Sequence, residues 1–467
     1  MEHGISFSRV KQTRRGLKPR GTAIMNSLNE VLEHNEIPLD YKHAFEQFVW
    51  LLSGAITPVL LYLIPLESPY NSSGGGIGWW LTIFVNMWIS GAAVVLWVMC
   101  SGGKEIYELL GFKSSRLLGI PFSVTMTVIS AIGLLVGIYP VPFLLLLGGG
   151  IACFNTSAMM YLKIPKAKRT WSIQKEFLRG NLVLFLGFGL IGYLAVARTV
   201  FQTLDATQQS YFCPFFFLGK VVVKTICKII VFNGTNPSFE PIIAFWIDFL
   251  SAIFTNLLFL DLVSSDTFLI MIGLDVTENV FHACKGAWML RKAVVRVADH
   301  TDEDEVEAYT KERRKAFNYI LCFGFSEVAE ICSSFVSISM ITVFNLGPNR
   351  SFSTLLGPSA LVCRPDGAIR TALTYSCIDC VIEIVLFFLL CRCIQYNFDI
   401  PIVKMLMVLI DYYKKYFWFG VGVASNVTLQ IFLLHGGCDT RFEFGWLADD
   451  FDGKLNDICN VTNTTHN

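Results

Sequence analysis

Long apolar runs alternate with short polar connections along this chain. A helix needs about 20 largely apolar residues to cross a bilayer. Nine stretches meet that requirement: 47–66, 77–100, 117–138, 141–162, 181–203, 241–263, 317–345, 371–394 and 417–435. Two more, 211–232 and 267–289, are as long but interrupted by charge. The pattern predicts an all-α, polytopic helical membrane protein with about eleven transmembrane helices if both interrupted stretches cross, or nine plus a re-entrant segment if neither does. Residues 400–416, "IPIVKMLMVLIDYYKKY", read as an amphipathic stretch on the cytoplasmic surface before the last span. The polar remainder divides into an N-terminal segment 1–46, a loop at 290–315 inside the multi-span region 47–435, and a tail 436–467. None of these pieces is large enough to bury a core of its own.

Local charge sets the expected sidedness, because Lys and Arg gather in cytoplasmic loops. Basic runs occur in "VKQTRRGLKPR" near the start, between Lys104 and Arg116, in "KIPKAKRTWSIQK", and from Lys285 to Lys315. Acceptor tripeptides for glycosylation at Asn71, Asn349, Asn460 and Asn463 fall opposite those basic loops. The map places the N-terminus in the cytoplasm and the C-terminus outside, in the secretory pathway or plasma membrane, with the first span acting as signal anchor. Eleven spans are preferred over nine, because "FFFLGKVVVKTICKIIVF" is more apolar than an exposed loop should be and "SSD" makes a tight turn before Thr267. The difficulty is Lys220, Lys224 and Lys228, three cations on one helix face, each costing about 2.5 to 3.5 kcal/mol at a bilayer centre unless it finds a partner.

The candidate chemistry lies in three further stripes. In "DVTENVFH", Asp275, Glu278, Asn279 and His282 fall within roughly 100° of helix surface. "SEVAEICSSFVS" places Ser326, Glu327, Glu330, Ser333, Ser334 and Ser337 on one face, and "YSCIDCVIE" does the same for Ser376, Asp379, Cys380 and Glu383. A fourth apolar run contributes Asp248 with Ser251 and Thr255. Facing lipid, about seven such carboxylates would cost on the order of 20 kcal/mol, more than a typical domain's stability. They are therefore expected to turn inward, with the lysine stripe and Arg198 as available cations.

Two uses of such faces compete. Acids, serines and lysines can simply hydrogen-bond helices together, or they can line a path for a cation or proton. The second is preferred because the acids recur on three successive segments: Asp275, Glu278, Glu327, Glu330, Asp379, Glu383 and Asp248 would supply charge, with Asn279 and His282 orienting or relaying. Glu278 and His282, four residues apart, can point at one ion, yet a lone His is more often structural, and no resident metal or cofactor is expected. A receptor or structural subunit without transport is the alternative function.

Composition narrows the field. Only 16% of residues are charged, against about 25% in soluble domains. The formal net charge is zero, so nothing points to nucleic acid. The lipid bilayer and a small cation or proton are the expected partners, and the sequence leaves the oligomeric state open. No nucleophile elbow, HExxH or phosphate loop is present, which argues against an enzyme. Most of the 14 cysteines lie in apolar runs, while Cys438 and Cys459 in the tail could pair. The alternation in "PFFFLGKVVVKTICKII", with the acidic hairpin after it, resembles a group of large, uncharacterised polytopic transmembrane proteins of oomycetes over about residues 210–290. That resemblance implies no activity.

The two topologies separate at Asn233 in "NGT". With eleven spans this site faces the cytoplasm and stays unmodified when the protein is made in microsomes; glycan addition there would establish the nine-span arrangement.

Overall fold

The computed structural model describes residues 41–67, 76–102, 104–141, 144–232, 240–295, 303–349, 366–398 and 400–431. Among them are eleven α-helices: α1 (Tyr41–Leu61), α2 (Gly76–Gly102), α3 (Lys104–Leu135), α4 (Gly149–Lys163), α5 (Trp171–Thr203), α6 (Ala206–Phe232), α7 (Glu240–Leu258), α8 (Ser265–Val295), α9 (Glu303–Leu346), α10 (Asp366–Phe398) and α11 (Ile402–Ile431). The described residues contain no strand. Among the described residues, six helical stretches are long and apolar enough to cross a membrane: Lys42–Leu61, Gly76–Leu96, Leu117–Leu135, Trp171–Thr203, Glu240–Asp261 and Lys315–Leu346. Large apolar side chains such as Leu135, Phe154, Phe215 and Phe281 point outward in numbers, the surface an integral membrane protein presents to lipid tails.

Local chemistry sets the helix starts. Thr170 accepts a hydrogen bond from the backbone N–H of Ile173 at the head of α5. Asp205 and Gln208 form a reciprocal box before α6, the aspartate accepting from the Gln208 N–H at 2.9 Å and the glutamine side chain accepting from the Asp205 N–H at 3.2 Å. Ser264 accepts from Thr267 N at 3.2 Å and opens α8, where the sequence predicts a tight turn. Each cap gives an otherwise orphaned N–H a partner.

Helix α7 forms the centre. Its stretch Glu240–Asp261 is 94% buried, consistent with a helix that is hydrophobic all round. It packs against α9, α11 and α6, and α9 in turn touches α8, α10, α11 and α1. The bundle is closed by α11 lying on α1 and α2. On the opposite flank α2 packs on α3 and α5, and α3 on α4. Where α2 meets α3, a Cβ on Gly91 would sit 2.6 Å from the Gly119 carbonyl oxygen. Only glycine allows backbones so close, a common device in membrane bundles.

Three expectations change. Residues 400–416 are not a separate surface stretch but the first half of α11, which runs unbroken to Ile431. Its periodicity is that of a long helix burying Ile402, Met405, Leu406, Leu409, Ile410 and Tyr413 inward while Asp411, Lys414 and Lys415 stay exposed. The run 141–162 divides into a π-helical turn at Leu144–Gly148 and α4. Asn349, read as a glycosylation acceptor, is 2% exposed. Its Nδ2 donates to the carbonyls of Tyr62 and Ile64 and its Oδ1 accepts from Leu66 N at 2.8 Å, so its amide is committed within the fold. Asn71, Asn460 and Asn463 lie outside the described residues, as do Asn233, Cys438 and Cys459.

The Asn349 clamp ties the exit of α9 to the segment after α1. Asn349→Ala would strand two carbonyls and an N–H, and is expected to cost about 1–3 kcal/mol, read as a lowered thermal unfolding midpoint in detergent.

Candidate functional site

Five helices, α6 to α10, bring their polar faces together inside the bundle. From α6, Lys220 and Lys224 point inward, 3% and 6% exposed. Lys220 Nζ lies 3.0 Å from Glu330 Oε1 on α9 and 3.6 Å from Glu278 Oε2 on α8. One turn on, Lys224 Nζ lies 2.8 Å from Asp248 Oδ2 on α7 and donates to Ser326 Oγ at 3.1 Å. Ser326 donates to that same Asp248 oxygen at 2.6 Å. The side chain of Lys228 is outside the described residues.

The acidic stripes meet as their inward turn required. Asn279 on α8 donates to Glu330 Oε2 at 3.3 Å and Glu383 Oε2 on α10 at 3.4 Å, joining three helices. Asp379 accepts from Ser334 at 3.2 Å, and Asn256 of α7 donates to Ser334 and Ser333. Ligand oxygens of Glu327, Glu330 and Glu383 lie within 4.8 Å of one another, and so do those of Asp275, Asp379 and Glu383. Glu327, Glu330 and Glu383 are 0%, 4% and 1% exposed.

His282 sits at the margin with a quarter of its side chain exposed. Its Nδ1 is hydrogen-bonded to the Tyr319 hydroxyl and its Nε2 is 3.7 Å from Glu278 Oε1. Residues outside the assembly are equally clear. Arg198 pairs with Asp261 at 2.8 Å, not with the acidic faces; Gln202 donates to the same carboxylate at 3.0 Å. Thr255 bonds back to Ser251 O on its own helix. In "CIDC" Cys380 is buried, Cys377 is exposed and both are free thiols. Asn426 donates to the Asn86 carbonyl and to Ser90 on α2, away from the acidic faces.

Tyr319 and Asn256 complete the site although no stripe included them. Tyr319 lies seven residues before Ser326, two turns along the same face. Asn256 lies eight after Asp248, about 80° round the helix and still on the same broad face, though further from Asp248 than Thr255 is. Seven residues and eight residues are the spacings that would have revealed both.

The electrostatics are unbalanced. Asp248, Asp275, Glu278, Glu327, Glu330, Asp379 and Glu383 are seven carboxylates facing two described lysines, an excess of five negative charges if all were ionised. Bare charge in a poorly solvated interior costs several kcal/mol per ion, so protons or cations must supply the difference. Lys224, Asp248 and Ser326 satisfy one another apart from Asp248 Oδ1. Elsewhere in the cluster, both oxygens of Glu327 and Oε1 of Glu383 have no hydrogen-bond partner among the described residues. A separate cavity, lined by Leu190, Trp246, Leu250 and Val427 among others, is apolar and contains none of these acids.

Lys224→Met would leave Asp248 as an uncompensated buried charge, a loss of about 3–5 kcal/mol. Adding Asp248→Asn is expected to recover most of it, read as the unfolding midpoints of the single and double variants. Comparison of the chain with protein-family models, with curated proteins and with solved structures finds no match.

Proposed function

We propose that this is an integral membrane transport protein that moves a cation, or a solute coupled to protons, along the buried acidic face of α6 to α10. The surplus of carboxylates over lysines carries this reading. A network that only glued helices together would gain nothing from five more carboxylates than lysines, whereas a path for cations or protons needs acceptors that can change occupant.

The eleven described helices correspond in order to the eleven apolar stretches of the sequence, which supports eleven crossings. At 1.5 Å per residue, α6 with 27 residues and α8 with 31 would run about 40 and 46 Å, against a hydrocarbon core of about 30 Å. In α6, Lys220 and Lys224 face acids, not lipid. The basic loops orient the chain with its N-terminus in the cytoplasm and its C-terminus outside, and the bilayer and a small cation or proton are its partners. Tyr319 and His282, half in and half out of the cluster, stand where an ion or proton would enter from the cytoplasmic side.

The test is flux in reconstituted vesicles. Joint replacement of Glu278 and Glu327 by Gln and Asp379 by Asn, with the fold checked by helical circular dichroism and monodisperse elution, is expected to reduce cation or proton flux roughly tenfold or more. Unchanged flux would end the transport reading and leave the hydroxyl and amide bridges from Ser326, Ser334 and Asn256 as a packing network.

A further inference from the structure

We infer that Glu327, Glu330 and Glu383 form a binding site for a hard divalent cation, of the Ca²⁺, Mg²⁺ or Mn²⁺ class. The inference deepens the transport reading by naming the occupant of its central position, and rests on that reading for the site's role.

Three features converge. The first is donor chemistry. The three groups are carboxylates with one oxygen each inside a 4.8 Å sphere of separation, which is about twice the 2.3–2.6 Å metal–oxygen distance of Ca²⁺. Neither ligand set among the described residues holds an imidazole or a thiol, and His282 is turned away to Tyr319 and Glu278. All-oxygen sets select hard cations over zinc or copper.

The second feature is Glu327 itself. It is fully buried, its side chain reaches into the cluster, and neither carboxylate oxygen accepts a hydrogen bond from any described residue. Buried acceptors are ordinarily satisfied. Ser326 next to it and Ser333 and Ser334 further along α9 all find partners, so the helix does not lack donors in general. Glu383 Oε1 is a second acceptor of this kind in the same group. An ion between them satisfies both.

The third is charge. Glu330 already holds the ammonium of Lys220 at 3.0 Å. Lys220 is shared with Glu278 on α8, so the three carboxylates keep at least two negative charges, which one divalent ion would offset. Asn279 pins Glu330 and Glu383 from α8 with its two amide bonds, the outer support that ligating carboxylates generally have. Glu383 also belongs to the group with Asp275 and Asp379, so an ion leaving the first position meets a second set of oxygens across the same side chain.

The experiment uses the full-length protein in detergent micelles with CaCl₂, MgCl₂ and MnCl₂ as separate probes, reading bound ion by equilibrium dialysis and the thermal unfolding midpoint by tryptophan fluorescence. The expected result is saturable binding of at least one of the three and a midpoint that rises with its concentration. Glu327→Gln is expected to weaken that binding by roughly tenfold or more while leaving the ion-free midpoint equal or higher, because a repelling charge has gone. If Glu327→Gln does not fold, Glu383→Gln, which removes a ligand from the same group, is expected to give the same loss. No saturable binding of any of the three ions, equal binding by wild type and variant, or a midpoint that responds to pH or NaCl alone would each overturn the site. Flux without divalent binding would leave the transport reading standing and remove this one; divalent binding without flux would do the reverse.

Discussion

Two ammonium groups on α6 determine how the polar half of the bundle is arranged. Lys220 reaches α8 and α9 through Glu278 and Glu330, and Lys224 reaches α7 and α9 through Asp248 and Ser326. In a bundle whose outer surface is apolar, each of these helices is held in rotation about its own axis by the need to keep its charges on the inside. Turning α8 by half a revolution would carry Asp275 and Glu278 out among Leu269 and Phe281, which are exposed. Apolar packing alone is indifferent to many such rotations. Buried charge is not, and the arrangement of α6 to α10 follows from it.

The same constraint explains what could be read from the residues and what could not. Asp275, Glu278, Glu327, Glu330, Asp379 and Glu383 stood out because acids repeat at helical spacing in apolar runs, and their cost dictates an inward turn. That they would meet was implied; which would touch which was not. Arg198 had the right charge and the wrong neighbourhood, because Asp261 lies closer after the short turn that follows α7. Hydropathy cannot distinguish a surface-bound amphipathic stretch from the inner face of a long helix, which is why 400–416 proved continuous with α11. Asn349 carries an acceptor tripeptide, and only tertiary structure shows its amide committed to Tyr62, Ile64 and Leu66.

Along α9 the environment changes within a single turn. Ser326 is locked into the Lys224–Asp248 ion pair, Glu327 beside it has no donor among the described residues, and Glu330 shares a lysine and an asparagine. Beyond them Ser333, Ser334 and Ser337 present neutral hydroxyls, all fully buried. Strong fixed charge, open charge and weak dipoles thus follow one another along one helix face. On the proposed transport reading, an ion leaving the open acids would meet weaker ligands next in line.

The central place of α7 has a consequence for how the chain is made. Its walls are largely α9 and α11, both later in the sequence, and α11 closes on α1 and α2 at the far end of the chain. When α7 first leaves the ribosome, neither Asp248 nor Asn256 has its partners on α9, and no amount of waiting supplies them until Ser326 and Ser334 have been synthesised. The early helices α2 to α5 can pack on one another as they emerge, whereas the enclosed middle around α7 cannot be completed until α9 and α11 have been made.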